Sequence, residues 1–280
     1  MSLVIPQRRF GLLDPGLHLV DPANPLTGDP LNDGLVFWWK GLPSKTGGIT
    51  AFDLSGYGNH GTLTNMDPAT DWVAGPRGGR ALDFDGVNDY VDCGTDSSLD
   101  NGADTTISVW VYPSTVSGEH SIAGKFSSSN NGYWLRQNTD DIQWFGVNNA
   151  VRTATNVLSA NSWHHIVGVR NGTILTIYVA GEQSATGDAG GSVNPVHANP
   201  FIIGRRSDSS AEYFNGPIDD VRILNRALLS SEVKAVYLDS LQGYPRTLRR
   251  MGRVNFPAAA PPAGTILPQM IQQGLYAGAN

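Results

Sequence analysis

The chain reads as short apolar runs set between dense turn residues. Leu35 to Trp39 is five consecutive apolar residues including β-favouring Val, Phe and Trp, which predicts a strand buried on both faces. From Thr105 to Tyr112, alternation places Ile107, Val109 and Val111 on one face and Trp110 and Tyr112 on the other. Bulk on both faces predicts a strand between two layers, ended by Pro113. Further strands are predicted at Ala81 to Phe84, Tyr90-Val91, His120 to Phe126, Tyr133 to Arg136, Ile142 to Val147, Trp163 to Arg170, Ile174 to Val179, Phe201 to Gly204 and Phe214 to Leu224. Asn171-Gly172 and Ala180-Gly181 supply tight turns, Asp53 to Gly61 supplies a longer one, and Asp85 to Asp89 carries a hairpin signal between Phe84 and Tyr90. Strands at this spacing without intervening helices predict an all-β fold, a sandwich of antiparallel sheets. One short C-terminal helix follows, with Ser230 or Ser231 as its cap, Glu232 in its first turn, and Val233, Val236, Tyr237 and Leu241 at helical spacing.

The pattern gives out at both ends. Residues 1–33 hold Pro6, Pro15, Pro22, Pro25 and Pro30 between small apolar groups, and residues 241–280 include Pro257, Pro261, Pro262 and Pro268. Proline at this density excludes regular helix. The chain therefore divides into an extended N-terminal arm (1–33), one β domain (34–240) and a proline-rich C-terminal arm (241–280). Arms that are apolar but cannot fold alone are expected to gain order by lying on neighbouring subunits.

Composition narrows the partners. A formal charge of -6 and a pI near 5.4 argue against nucleic acid, whose phosphates call for clustered Lys and Arg. The basic residues that do cluster, Arg246, Arg249, Arg250 and Arg253, fall in the C-terminal arm. Cys93 is the only cysteine, which excludes an internal disulfide and a Cys-based zinc site. No run approaches the roughly 18 apolar residues of a membrane span, and the start lacks the basic-then-apolar order of a signal peptide. No membrane partner and no signal peptide are expected.

Between Trp38 and Leu238 the sequence resembles the laminin-G-like jelly-roll domains of the concanavalin A-like lectin and glucanase superfamily. The resemblance is carried, in order, by Asp53-Leu54-Ser55-Gly56, Asn59-His60-Gly61, Leu82-Asp83-Phe84-Asp85-Gly86, Val109-Trp110-Val111, Trp163-His164-His165-Ile166, Tyr178-Val179-Ala180-Gly181 and Asn215-Gly216-Pro217-Ile218-Asp219-Asp220-Val221-Arg222. It implies two antiparallel sheets packed face to face. Where such domains usually have Asp before the turn glycine this chain has Ala180, a departure expected to weaken that turn.

Candidate chemistry is sparse. Enzymes of the superfamily need two carboxylates across a sugar cleft, yet no two of Glu119, Glu182, Glu212 and Glu232 lie within four residues of each other. No nucleophile elbow, Walker loop or H-E-x-x-H helix is present either, so a non-enzymatic protein is expected. His164 and His165 point to opposite faces of a strand and are expected to be structural. The resemblance implies a structural calcium ion on Asp53 and Asp219, with Asn59 as helper. The alternative is that Asp53 caps a turn while Asp219 or Asp220 pairs with Arg222. Of seven tryptophans, at least five are expected in the core, and Trp72 and Tyr213, in turn-rich surroundings, are the candidates for stacking on sugar.

Together these features lead to the expectation of a virion structural protein, a capsid decoration or tail component of a bacteriophage assembled in the host cytoplasm, held to other virion subunits by residues 1–33 and 241–280. The alternative is a carbohydrate-binding adhesin that attaches to host glycans. A particle-surface module can be both.

Overall fold

The computed structural model describes residues 31–41, 48–76, 79–127, 131–145, 151–188 and 198–241. Most of both proline-rich arms, with the expectations placed on them, lies outside the described residues. In chain order the strands are β1 (Leu35–Trp39), β2 (Thr50–Ala51), β3 (Gly61–Thr64), β4 (Trp72–Ala74), β5 (Arg80–Asp85), β6 (Tyr90–Asp92), β7 (Asp104–Val111) and β8 (Glu119–Ser127). There follow β9 (Asn131–Asn138), β10 (Asp141–Phe145), β11 (Val151–Ala154), β12 (His164–Asn171), β13 (Ile174–Val179), β14 (Glu182–Asp188), β15 (Ile202–Ile203) and β16 (Asn215–Leu224), and then the helix α1 (Ser230–Ser240).

The strands form two eight-stranded antiparallel sheets. The first runs β14-β13-β12-β7-β16-β5-β4, with β1 also on β16; the second runs β11-β10-β9-β8-β15-β6-β3-β2. The length of β16 explains the branching, because its first half pairs with β5 and its second half with β1. Phe37, Leu82, Phe84, Val109, Trp144 and Phe201 are among the side chains that fill the space between the sheets. Five tryptophans, Trp38, Trp39, Trp110, Trp134 and Trp144, are buried, as the strand pattern required.

Bulk on both faces of β7 has the cause expected of it. Ile107, Val109 and Val111 enter the core between the sheets, while Trp110 turns outward to stack on Tyr237 of α1 at 6.1 Å. The helix closes this outer face with Val233 and Val236, which pack into a second apolar cluster with Trp38, Val167, Tyr178 and Leu224. Burying each valine is worth about 1.5–3 kcal/mol, so the docked face rather than helix propensity holds α1 in place. Among the described residues, no helix is long and apolar enough to cross a membrane.

Three expectations need correction. Asp85 to Asp89 does not close a hairpin: β5 belongs to the first sheet and β6 to the second. The loop is instead a self-bonded crossover, in which Asp85 Oδ1 accepts the N–H groups of Val87 and Asn88 at 2.8 and 3.0 Å and Asp89 Oδ2 accepts that of Asp85 at 3.0 Å. Neither serine caps α1. Leu229 occupies the cap position, its N–H donates to the Glu232 carboxylate at 2.7 Å, and the Ser230 hydroxyl is engaged with Tyr178 Oη at 3.0 Å. Finally β2, β3, β4, β11 and β14, short or polar, are not visible as strands in the sequence pattern. The turn at Ala180-Gly181 does form, with φ of 50° at Ala180 and 79° at Gly181. A left-handed alanine is unfavourable, which is the physical content of the departure noted there.

Candidate functional site

The residues that carry the family resemblance build the closed side of the molecule. Asp220 lies at a bulge in β16 with φ of 49°. Its carboxylate accepts the Trp38 indole N–H at 2.7 Å and Arg222 Nε at 3.0 Å, with Lys40 Nζ at 3.8 Å. Arg222 continues to Asp239 of α1 at 3.2 Å. Burial alone would raise the Asp220 pKa, but Arg222, Lys40 and the indole together hold it well below the usual carboxylate range. Asp219 differs: burial and the neighbouring Asp220 charge push it up to about 7, and its Oδ1 accepts the Gly41 N–H at 2.7 Å.

Next to this network, Ser108 Oγ and His165 Nε2 lie 2.9 Å apart. The pair has the look of a hydrolytic dyad, but both residues are buried beneath Tyr237, and His165 Nδ1 has no partner. Substrate cannot reach it. Burial pushes the His165 pKa down to about 3, so folding requires the neutral ring. The unfolded chain then binds a proton that the folded chain refuses between about pH 6.5 and pH 3, and stability falls across that window on acidification. In thermal melts from pH 7 to pH 4, His165→Gln is expected to lose part of the wild-type acid slope; an unchanged slope would place His165 in water.

The side chains of the three residues expected to hold calcium are each hydrogen-bonded within the protein. Asp53 Oδ1 accepts the N–H groups of Trp38 (3.0 Å) and Ser55 (2.9 Å), and Oδ2 accepts Ser55 Oγ (2.8 Å) and the Asn59 N–H (3.0 Å). Four donors thus point where a cation would have to sit. Asn59 offers its amide NH2, not its oxygen, to Val36 O and Ser98 Oγ, each at 2.9 Å. Asp219 is bound to a different backbone group, and among the described residues no group of three His, Cys, Asp or Glu could hold a metal ion. These contacts give the alternative reading: Asp53 staples a turn to β1 and Asp220 pairs with Arg222.

Of the two sugar-stacking candidates, only Tyr213 lies in a loop, the one before β16. Trp72 belongs to β4, half-buried, and tilts against Trp39 with ring centres 6.2 Å apart. Tyr213 is half-buried, and its carbonyl is bonded to His120 Nδ1 at 2.7 Å.

The structure gathers a different set on the outer face of the second sheet, which no helix covers among the described residues. Trp134 and Arg136 lie two apart on β9 and therefore share a face; Gln143 and Phe145 do the same on β10. The register pairs Arg136 with Gln143 and Trp134 with Phe145, and the two rings stack at 4.5 Å. Phe126 of β8 completes the floor, 5.0 Å from Trp134. Gly124, opposite Trp134, makes room for the indole: a Cβ there would lie 3.0 Å from Trp134 Cδ1 and 2.7 Å from Tyr133 O. The floor is capped by cations. The Arg136 guanidinium sits 4.8 Å from the ring centres of both Trp134 and Phe145, and Arg206 sits 5.1 Å from Trp134, contacts favoured by the negative ring faces.

The charges above this floor are fixed by one another. Arg136 Nε and Nη2 donate to Gln143 Oε1 at 3.0 and 2.6 Å, and Nη1 reaches Glu119 at 2.9 Å and Glu212 at 3.4 Å. Arg206 pairs with Asp208 at 2.6 Å and Glu212 at 3.2 Å. Glu119 is the most open member, its side chain 47% exposed. Rings below and carboxylates, guanidinium and amide above make a mutually bonded polar surface on a buried apolar base.

A two-sheet sandwich closed by a helix on one side and presenting such a surface on the other is a lectin-like β-sandwich. The chain belongs to the laminin-G-type domain family of the concanavalin A-like lectin/glucanases superfamily, which it matches over residues 85–234. A search of curated protein sequences returns no significant match. Among solved structures it is similar to the binding domain of Paraclostridial Mosquitocidal Protein 1, at 20% identity and a TM-score of 0.56 over 75% of this chain and 53% of that one. The receptor binding domain of botulinum neurotoxin D gives 16% identity and 0.56 over 75% and 54%. Domain 4 of AbnA, an extracellular arabinanase of Geobacillus stearothermophilus, in complex with arabinotriose, gives 18% and 0.56 over 72% and 98%. The chain spans about half the length of these toxin domains and nearly all of the arabinanase domain. At these identities the likeness is one of fold.

Proposed function

We propose that this chain is a non-catalytic glycan-binding module whose ligand surface is the outer face of the second sheet around Glu119, Trp134, Arg136, Gln143 and Phe145. The observation that carries the reading is the asymmetry of the sandwich. One outer face is sealed by α1, and the other holds an aromatic floor with its polar groups locked in place. A preformed polar surface loses little entropy on binding. The arabinotriose complex of the arabinanase domain supports a sugar as the ligand. The two glutamates at the face are both ion-paired to Arg136, which supports binding rather than hydrolysis. The proline-broken flanks at 1–33 and 241–280 support the finer reading that the module is mounted on a larger particle, a bacteriophage virion, by its arms.

A glycan array probed with the purified full-length chain tests the binding reading. Binding is expected, and Gln143→Ala is expected to weaken it about 5- to 10-fold, as for loss of one hydrogen bond, with a fall in melting temperature of about 2–6 °C because Arg136 Nε and Nη2 lose their acceptor. EDTA is expected to leave affinity unchanged, given the donors around Asp53. No signal at millimolar oligosaccharide, or cleavage of the bound sugar, would overturn the proposal. For the particle reading, protease should trim the isolated chain to about residues 34–240; arms already protected in a dilute monomer would count against it.

A further inference from the structure

Resting on the glycan-binding reading for the class of ligand alone, we infer that the outer face of the second sheet carries a second sugar subsite, on β2, β3 and β6 around Phe52, His60, Thr62 and Asp92. Alternation settles which side chains share this face. Leu63 and Val91 enter the core, and a Cβ on Gly61 would strike the Val91 and Cys93 side chains there. His60 and Thr62 on one strand line, and Tyr90 and Asp92 on the next, therefore point outward. The register sets Thr62 opposite Asp92, about 4.5–5.5 Å apart at Cβ, close enough for one ligand to touch both. Thr50 stands opposite Thr62 on the other side, and one step further Phe52 packs edge-on against His60 with ring centres 5.5 Å apart. The Arg205 guanidinium, 4.1 Å above the Tyr90 ring, bounds the patch where β6 meets β15.

Open hydrogen-bonding capacity beside an open ring marks this patch. Phe52 is 45% exposed. The Asp53 N–H donates to His60 Nδ1 at 3.0 Å, which places the proton of the neutral imidazole on Nε2; that N–H has no partner among the described residues. Asp92 spends Oδ1 on the Gly94 N–H at 2.9 Å and keeps Oδ2, while Thr62 is exposed with its hydroxyl free. A donor, a two-way hydroxyl and an acceptor complement the hydroxyls of a sugar, and the Phe52 ring offers an apolar surface to its ring face. The backbone beneath is already fixed, because the Asp53 carboxylate holds the Trp38, Ser55 and Asn59 N–H groups and His60 is bonded to the same residue, so little ordering remains to be done on binding. Three strands at about 4.8 Å spacing give a patch about 10 Å across, room for two or three sugar units. One open ring among hydroxyls and a carboxylate lacks the apolar centre of a protein interface.

Amide NMR shifts of the isotope-labelled full-length chain, titrated separately with arabinotriose, xylotriose, cellotriose and galactotriose at millimolar concentration, test the subsite. At least one trisaccharide is expected to move the amides of residues 60–64 and 90–92 with saturation. Phe52→Ala should weaken that saturation about 3- to 10-fold through the lost ring contact. Thr62→Val, which removes a hydroxyl at nearly constant shape, should weaken it by a similar factor of about 3 to 10. Both side chains are exposed, so the amides of the free variants elsewhere in the chain should stay where they are in wild type. Saturation at residues 60–64 and 90–92 that neither variant alters would overturn the inference. Shifts confined to residues 134–145 would overturn it while leaving the glycan-binding reading in place, and shifts at neither set would remove both.

Discussion

Asp220→Asn is expected to cost the domain about 3–5 kcal/mol, the usual penalty for orphaning a buried charge, and to lower its melting temperature by roughly 10 °C. Arg222 is 5% exposed and Lys40 is 8% exposed, so neither can recover its hydration when the carboxylate goes. Arg222 would keep the Trp38 ring at 4.8 Å and Asp239, whose own side chain is 48% exposed and therefore a weaker partner. Asparagine isolates the electrostatic effect, since its short polar side chain tolerates the left-handed φ of 49° seen at Asp220 and can still accept the Trp38 indole N–H. Asp220→Ala should be worse still, because it adds backbone strain and leaves that indole unbonded. The decisive comparison is Asp220→Asn with Arg222→Met: the double variant should recover much of the loss by removing the stranded cation. A single-variant loss below about 1 kcal/mol would mean that the pair contributes no more than an exposed surface pair.

Gly216→Ala, in the same strand, is expected to cost more than about 3 kcal/mol by a different route. A Cβ at this position would lie 2.2 Å from the Tyr112 carbonyl oxygen and 2.9 Å from the Ser114 nitrogen, at a φ of 124° that side chains avoid. The obstacle is backbone, and it cannot step aside. Tyr112 N–H donates to Pro217 O at 2.8 Å and Ser114 N–H donates to Asn215 O at 2.9 Å, so both flanks of the glycine are tied to the segment the methyl would strike. Chemical denaturation of the variant against wild type measures the loss directly. A change under 1 kcal/mol would require that β16 slide relative to Tyr112 and Ser114, which amide exchange at those residues would reveal.

Both variants fall in the stretch Asn215 to Arg222, one of the most recognisable parts of the sequence, whose aspartates are bonded within the fold. The same holds for Asp53 to Asn59, whose side chains are spent on Trp38, Ser55 and Val36. Motifs recur in such folds where the backbone needs a particular acceptor or a missing Cβ, so they announce the sandwich and say little about its ligand.

The sequence by itself determined the fold class, most of the strands and the helix, because period-two alternation and clustered turn residues are local consequences of a chain that must bury one face and satisfy its backbone. It also determined that Ile107, Val109 and Val111 face one layer and Trp110 another. Pairing was decided only in the tertiary structure. Arg206 is far along the chain from Phe126, Trp134 and Phe145, and the alternation of β9 and β10 says which residues share a face without saying which strand lies beside which. Register, set by the whole sheet, brought Arg136 against Gln143 and Trp134 against Phe145. The docking of α1, set by its fit to Trp38, Val167 and Tyr178, closed one side of the sandwich.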